Sequence, residues 1–239
     1  MRGLKKTIGV IGFGRFGRLL TEVLKTDFSM IAYDAKISPA LRRGRGSLAQ
    51  AASCDIVVFC VPIGRMEESL QQARRYIKKG AWVFDVCSVK EYPARLMRRL
   101  LPGHCDIIGT HPLFGPGSFA HPDARQVVLC PIRTNHLAAV ISYLRRRGFE
   151  AVTASPVEHD RRMALALNLP HLVGRALQGM RLKAQGLSTL NYERLLSIAQ
   201  SVSGDSLELD HDIRRYNRFS SKMERFFKTQ VLKALRPPR

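Results

Sequence analysis

The sequence predicts an α/β fold: a doubly wound parallel sheet followed by a small all-α domain. Three observations predict it. Short β-branched runs alternate with amphipathic stretches over the first 151 residues. A glycine-rich turn joins the first run to the first amphipathic stretch. After Ser155-Pro156 no strand pattern recurs, and the period becomes helical as far as Leu235.

The apolar runs Ile8 to Ile11, Met30 to Tyr33, Ile56 to Cys60, Trp82 to Val86, Ile107 to Ile108, Val127 to Leu129 and Ala151 to Thr153 read as strands. Phe16 to Leu24, Met66 to Ile77, Tyr92 to Leu101 and His136 to Arg147 carry helical spacing between them. Strand and helix in alternation imply parallel pairing with helices on both faces. Ala35 to Gly46, with Pro39 and two glycines, is too broken for a crossover helix and reads as a loop. Breaks near Gly186 and Gly204 divide the helical part. The expected organisation is residues 1–151 as a nucleotide-binding domain and 152–239 as a helical domain. A helical unit this small buries little core alone, so a homodimer through it is expected.

Net charge is +20 from 39 basic and 19 acidic residues. The excess is spread as +13 over residues 1–151 and +7 over 152–239, so it forms no detachable basic arm. A field attracting small anions fits this spread better than a dedicated nucleic-acid surface. No run of about 18 apolar residues exists, and the N-terminus enters a strand directly, so neither a membrane span nor an export signal is expected. Cys54, Cys60, Cys87, Cys105 and Cys130 are odd in number and lack CxxC spacing. They read as core residues in a reducing, cytoplasmic setting, with no metal site.

The first strand runs into Gly12-Phe13-Gly14-Arg15-Phe16-Gly17. The three glycines suit a tight turn, close approach to a pyrophosphate, and close helix-to-strand packing, with the phosphates at the positive end of the helix. Asp34 ends the next strand pattern, where a carboxylate accepts from ribose hydroxyls and repels a 2′-phosphate, which favours NAD. Lys36, Arg42 and Arg43 offer charges that could offset it, so NADP stays open. Val61 and Pro62 follow another buried strand and are expected beside the nicotinamide half, unless they simply end that strand.

Asp85-Val86-Cys87-Ser88-Val89-Lys90 leaves a strand at the carboxyl edge, where this architecture presents its loops to ligands. There Ser88 can hydrogen bond and Lys90 can meet an anion or start a helix. In Gly109-Thr110-His111-Pro112-Leu113-Phe114-Gly115-Pro116, the proline restricts the histidine backbone and fixes where the imidazole points. This glycine- and proline-bounded loop makes His111 a candidate catalytic residue; a satisfied structural histidine is the alternative.

These three segments resemble the prephenate and arogenate dehydrogenases of tyrosine synthesis. The likeness continues through Glu158-His159-Asp160, Leu169-Pro170-His171, Asp205-Ser206 and Tyr216-Asn217, and the later segments look most like compact plant-type arogenate dehydrogenases. The resemblance implies oxidative decarboxylation of a cyclohexadienol, with hydride passing to NAD or NADP. His111 would act as general base on the ring hydroxyl, Ser88 as its partner there, and His171 as a substrate contact. Two departures stand out. Leu167 occupies a position where many relatives carry glutamine, beside Asn168. Asp205 aligns where the prephenate-using bacterial branch has arginine, which favours the ammonium of arogenate unless Asp205 is simply a helix N-cap. His159 and Asp160 read as a local cap at a helix start. The competing readings are a β-hydroxyacid or imine-reducing dehydrogenase, whose catalytic lysine has no counterpart at Arg161, Arg162 or Met163, and a non-enzymatic nucleotide-sensing or nucleic-acid-binding protein.

Overall fold

The structure, a computed structural model, describes residues 5–36, 46–121 and 123–237. The chain divides into two compact units, one ending at Pro156 and one beginning at Val157.

The first unit is built on a seven-stranded sheet in the order β2-β1-β3-β4-β5-β6-β7. Its strands are β1 (Thr7–Ile11), β2 (Ser29–Tyr33), β3 (Ile56–Phe59), β4 (Trp82–Asp85), β5 (Asp106–Pro112), β6 (Gln126–Arg133) and β7 (Glu150–Thr153). The helices are α1 (Arg15–Leu24), α2 (Leu48–Ala52), α3 (Met66–Ala73), α4 (Glu91–Leu100) and α5 (Leu137–Arg146). Helix α1 forms because Phe16, Leu19, Leu20, Val23 and Leu24 recur at helical spacing, giving one apolar stripe.

Strand alternation divides the core. Ile8, Val10, Ile56, Val58 and Phe84 point to the face that meets α1 and α5. On the opposite face α2 lies so close to β1 that a side chain at Gly9 would meet the Ala51 carbonyl oxygen at 1.7 Å. Helix α2 was not expected from periodicity, since five residues are too few to show one. Its signal is a capping box, in which Ser47 accepts from the Gln50 N–H and the Gln50 side chain accepts from the Ser47 N–H.

The sheet departs from the all-parallel expectation at one edge. β1 to β5 are parallel, but β5 and β6 pair antiparallel, and β7 runs parallel to β6. The connection between β5 and β6 contains Gly115-Pro116-Gly117 and, among its described residues, no helix to carry the chain back across the sheet, and the strand returns alongside its neighbour. This lengthens β5. His111 and Pro112 pair with Val128 and Val127, so the histidine lies within a strand rather than in the expected loop.

The second unit is helical: α6 (Pro156–Met163), α7 (Leu169–Gly179), α8 (Leu190–Ser201), α9 (Leu207–Tyr216) and α10 (Ser220–Ala234). A π-helical turn at Ala164–Asn168 separates α6 from α7. It lies immediately before Pro170, which has no N–H for the regular ladder, and a widened turn absorbs that mismatch. At Gly174 helices α7 and α8 approach so closely that a Cβ would meet the Val202 side chain at 2.6 Å. Among the described residues no helix is long and apolar enough to cross a membrane.

Candidate active site

The carboxyl ends of β1, β3, β4 and β5 lie side by side and carry most of the expected site residues. At the end of β1, Gly12 has φ +99°, and a Cβ there would lie 2.4 Å from the Cys60 carbonyl oxygen. Only glycine satisfies both the backbone and the space. At Gly17 a Cβ would lie 2.2 Å from the Gly12 carbonyl oxygen, so α1 presses directly on the turn. Gly14 differs, since a Cβ there would meet nothing within 4 Å. It is the N-cap of α1 and supplies no side-chain cap to the first-turn N–H groups that Arg15 and Phe16 begin. A helix N-terminus that begins on a glycine with clear space beside it fits the pyrophosphate of a dinucleotide.

Asp34 follows β2 and braces this turn from the side. Its Oδ2 accepts from the Phe13 N–H at 2.8 Å and its Oδ1 from the Lys36 N–H at 2.8 Å. Each oxygen keeps a further lone pair for a ribose hydroxyl. Arg42 and Arg43 lie outside the described residues. After β3, the Cys60 N–H donates to the Ile11 carbonyl at 2.7 Å, and Val61 Cγ1 lies 3.0 Å from the position a Gly12 Cβ would take. Val61 thus walls the glycine turn, and exposed Pro62 follows it.

Between β4 and α4 the segment 85–90 is fixed by charge. Asp85 and Lys90 are both 0% exposed. Lys90 Nζ donates to Asp85 Oδ2 and, at 2.6 Å, to the Thr110 carbonyl oxygen. Asp85 Oδ2 also accepts from the Cys87 N–H at 2.9 Å, and Thr110 Oγ1 donates to the Asp85 carbonyl. The expected meeting of Lys90 with a substrate anion therefore gives way to an internal one, because a buried ammonium needs a carboxylate close by and Asp85 supplies it. Gly109 makes room for this pair: a Cβ there would lie 3.3 Å from Asp85 Oδ1 and 3.4 Å from Lys90 Cδ. Half-buried Ser88 rides on the loop that the pair closes, and the backbone beside His111 is clamped from the same ammonium. His111 itself is 5% exposed.

Sequence reasoning missed Asp85 and Thr110 as parts of this arrangement. The available signal was an acidic residue closing an otherwise apolar strand, with a lysine five positions on. The same burial affects the thiols. Desolvation raises Cys87 well above the ordinary thiol value, with the nearby Asp85 carboxylate adding to the effect, and raises Cys60 for the same two reasons.

In the helical unit His171 is 7% exposed and stands between two carboxylates. Its Nε2 lies 3.7 Å from Asp205 Oδ2 and its Nδ1 3.6 Å from Asp210 Oδ1. The helix-cap alternative for Asp205 is overturned: the N-cap of α9 is Ser206, whose Oγ accepts from the Leu209 N–H at 3.1 Å. The Asp205 carbonyl accepts from Arg175 Nη2 at 2.8 Å, which holds the backbone while the carboxylate faces the imidazole. His159 and Asp160 are buried side by side, with Nδ1 to Oδ1 at 2.7 Å, and Asn217 Nδ2 donates to the Asp160 carbonyl at 2.7 Å. They form an internal tie between α6 and the end of α9 rather than a solvated cap. Asn168 closes the π-helical turn and is fully buried.

Residues 176–234 match a domain described as TYRAAT1-like, C-terminal domain. The chain is 28% identical to arogenate dehydrogenase 1 of Arabidopsis thaliana over 243 residues, covering 94% of this chain and 38% of that protein. It is 28% identical to arogenate dehydrogenase 2 of the same plant over 230 residues, covering 88% of this chain and 63% of that protein. The chain thus spans less than two thirds of the length of these curated relatives. A crystal structure of prephenate dehydrogenase from Aquifex aeolicus, in complex with hydroxyphenyl propionate and NAD+, superposes with a TM-score of 0.73 at 19% identity, covering 98% of this chain and 90% of that one. Residues 22–153, more than half of the chain, match the family described as prephenate dehydrogenase, nucleotide-binding domain, and the chain belongs to that family.

Proposed function

We propose that this chain oxidises and decarboxylates a cyclohexadienol, arogenate or prephenate, passing hydride to NAD(P). The observation that carries this reading is the placement of His111 beside the buried Asp85–Lys90 pair, on the same sheet edge as the glycine turn, in a chain whose residues 22–153 match the prephenate dehydrogenase family.

The bound dinucleotide supplies the hydride acceptor. Gly12, Gly14 and Gly17 would shape its cradle, the first turn of α1 would donate to its phosphates, and Val61 and Pro62 would stand toward its nicotinamide half. His111 accepts the proton of the ring hydroxyl as the carbon bearing that hydroxyl loses hydride. Ser88 hydrogen bonds at the same hydroxyl. The ring carboxylate then leaves as carbon dioxide, its electron pair completes the aromatic ring, and His111 returns the proton to the phenolate oxygen. General base action of this kind contributes about 10²- to 10⁴-fold.

Asp34 supports NAD as the preferred dinucleotide, because its carboxylate stands where a 2′-phosphate would be repelled. The Aquifex protein's complex with NAD+ supports a nicotinamide dinucleotide as the cofactor class. His171 and Asp205 serve as substrate contacts, and the Asp205 carboxylate favours an ammonium-bearing side chain, hence arogenate. The helical unit leaves Leu187 93%, Leu207 75%, Leu235 75% and Phe226 63% exposed, which supports burial of that surface in a homodimer. All five cysteines are free, in keeping with a reducing compartment.

The test is reduction of each dinucleotide by each ring substrate. The reading expects NAD reduction by arogenate with carbon dioxide released in equal amount. A chain that binds dinucleotide but reduces none with either substrate would overturn it.

A further inference from the structure

Between the sheet and helices α1 and α5 the first unit holds a half-open cavity of about 360 Å³. It runs along the strands, from Lys6 and Trp82 at the amino edge to Pro112 and Phe114 at the carboxyl edge. Aromatic rings frame its carboxyl end, where Phe114 stacks on Phe149 at 5.6 Å between ring centroids and meets Phe16 at 6.4 Å, while α5 lines it with Ala139, Val140, Tyr143, Leu144 and Arg146. The volume falls in the range of small-molecule sites, roughly 300–1,000 Å³.

Its chemistry selects the occupant. Of the described residues that line it, none is acidic, and two are cationic, Lys6 and Arg146. Lys6 Nζ sits 4.5 Å from the centroid of the Trp82 ring, and Arg146 Nη1 donates to Ser142 Oγ at 2.7 Å; among the described residues neither cation has a carboxylate within ion-pair distance. Both hydroxyls in the wall are committed as donors elsewhere, Tyr143 to Asp27 at 2.8 Å and Thr110 to the Asp85 carbonyl. A phenol hydroxyl or an ammonium group would be buried here without a partner. A long alkyl chain would lose nothing, and a terminal carboxylate would meet Lys6.

We propose that this cavity is a second binding site, for a free linear fatty carboxylate whose chain lies along the sheet and whose head group meets Lys6. The site stands independently of the dehydrogenase reading, since it rests on the cavity and its rim alone.

The test is calorimetric titration of the full chain with octanoate, decanoate and dodecanoate below their micellar concentrations. One site per chain is expected, with binding about fourfold tighter for each added methylene. Lys6→Glu, an exposed substitution that leaves the core intact, is expected to weaken dodecanoate while leaving dodecanol unchanged. Ala139→Trp adds a bulky ring to the α5 wall and is expected to weaken binding of both. Absence of binding, affinity independent of chain length, equal weakening of acid and alcohol by Lys6→Glu, or undiminished binding to Ala139→Trp would each overturn the proposal.

Discussion

Lys90 and Asp85 form an ion pair with no exposed surface, and the same ammonium holds the carbonyl of Thr110, the residue before His111. One buried charge thus joins the loop carrying Ser88 to the strand carrying the candidate base. Removing one partner leaves the other buried and unpaired, which costs roughly 3–5 kcal/mol. Lys90→Met is therefore expected to lower the urea unfolding midpoint sharply, and Lys90→Met with Asp85→Leu to recover most of that loss. An unchanged midpoint in the single variant would show that the pair does not hold the segment.

The three glycines of the turn should separate folding from binding. Gly12→Ala places a side chain at φ +99° against the Cys60 carbonyl, and Gly17→Ala drives one into the Gly12 carbonyl. Both are expected to destabilise the fold, the first by at least about 1–2 kcal/mol from backbone strain alone. Gly14→Ala meets open space and is expected to keep the wild-type melting temperature while weakening dinucleotide affinity. Equal affinity for Gly14→Ala and wild type, measured by titration, would remove Gly14 from the cradle.

Asp205→Asn keeps the shape of the side chain and removes its charge. Loss of one charge-assisted contact is worth about 1.5–3 kcal/mol, so the ratio of kcat/KM for arogenate over prephenate is expected to fall by about ten- to a hundredfold. Because Ser206 caps α9, stability should change little. An unaltered ratio would leave Asp205 only its contact with His171.

In the helical unit Arg214 grips Glu224 through Nε at 2.8 Å and Nη2 at 3.0 Å. This contact holds the glutamate below its ordinary value, against the opposing effect of burial. A carboxylate depressed on folding adds stability above its unfolded pKa, about 4.3, and loses that contribution as pH falls through the folded value. Being partly exposed, the pair is worth about 0.5–1 kcal/mol at neutral pH. Glu224→Gln should lower the neutral-pH unfolding free energy by that amount and flatten the acid limb of the stability curve. An acid limb as steep as wild type would place its origin elsewhere.

Helix α1 and the turn before it were legible because local rules agree there: apolar spacing, three glycines and a preceding strand all describe the same junction. The reversal of β6 was not, since an apolar run has the same local preference in either direction, and only the loop lacking a helix decides it. Lys90 was visible as a charge near the sheet edge, but its partner became apparent only when β4, α4 and β5 were brought into register. At Asp205-Ser206 two adjacent residues both suit an N-cap, and the backbone geometry chose the serine. His111 was legible as a candidate from its glycine and proline neighbours, whereas the strand that holds it depends on pairing with Val128 far along the chain.

The most direct measurement follows an isotope. Arogenate carrying deuterium on the hydroxyl-bearing ring carbon is incubated with the protein and NAD, and the reduced dinucleotide is analysed by mass. The account predicts that the label appears on the nicotinamide in step with carbon dioxide release, and that His111→Asn suppresses both by about 10²- to 10⁴-fold while dinucleotide binding persists. Undiminished label transfer in His111→Asn, or unlabelled reduced dinucleotide from the wild-type chain, would contradict it.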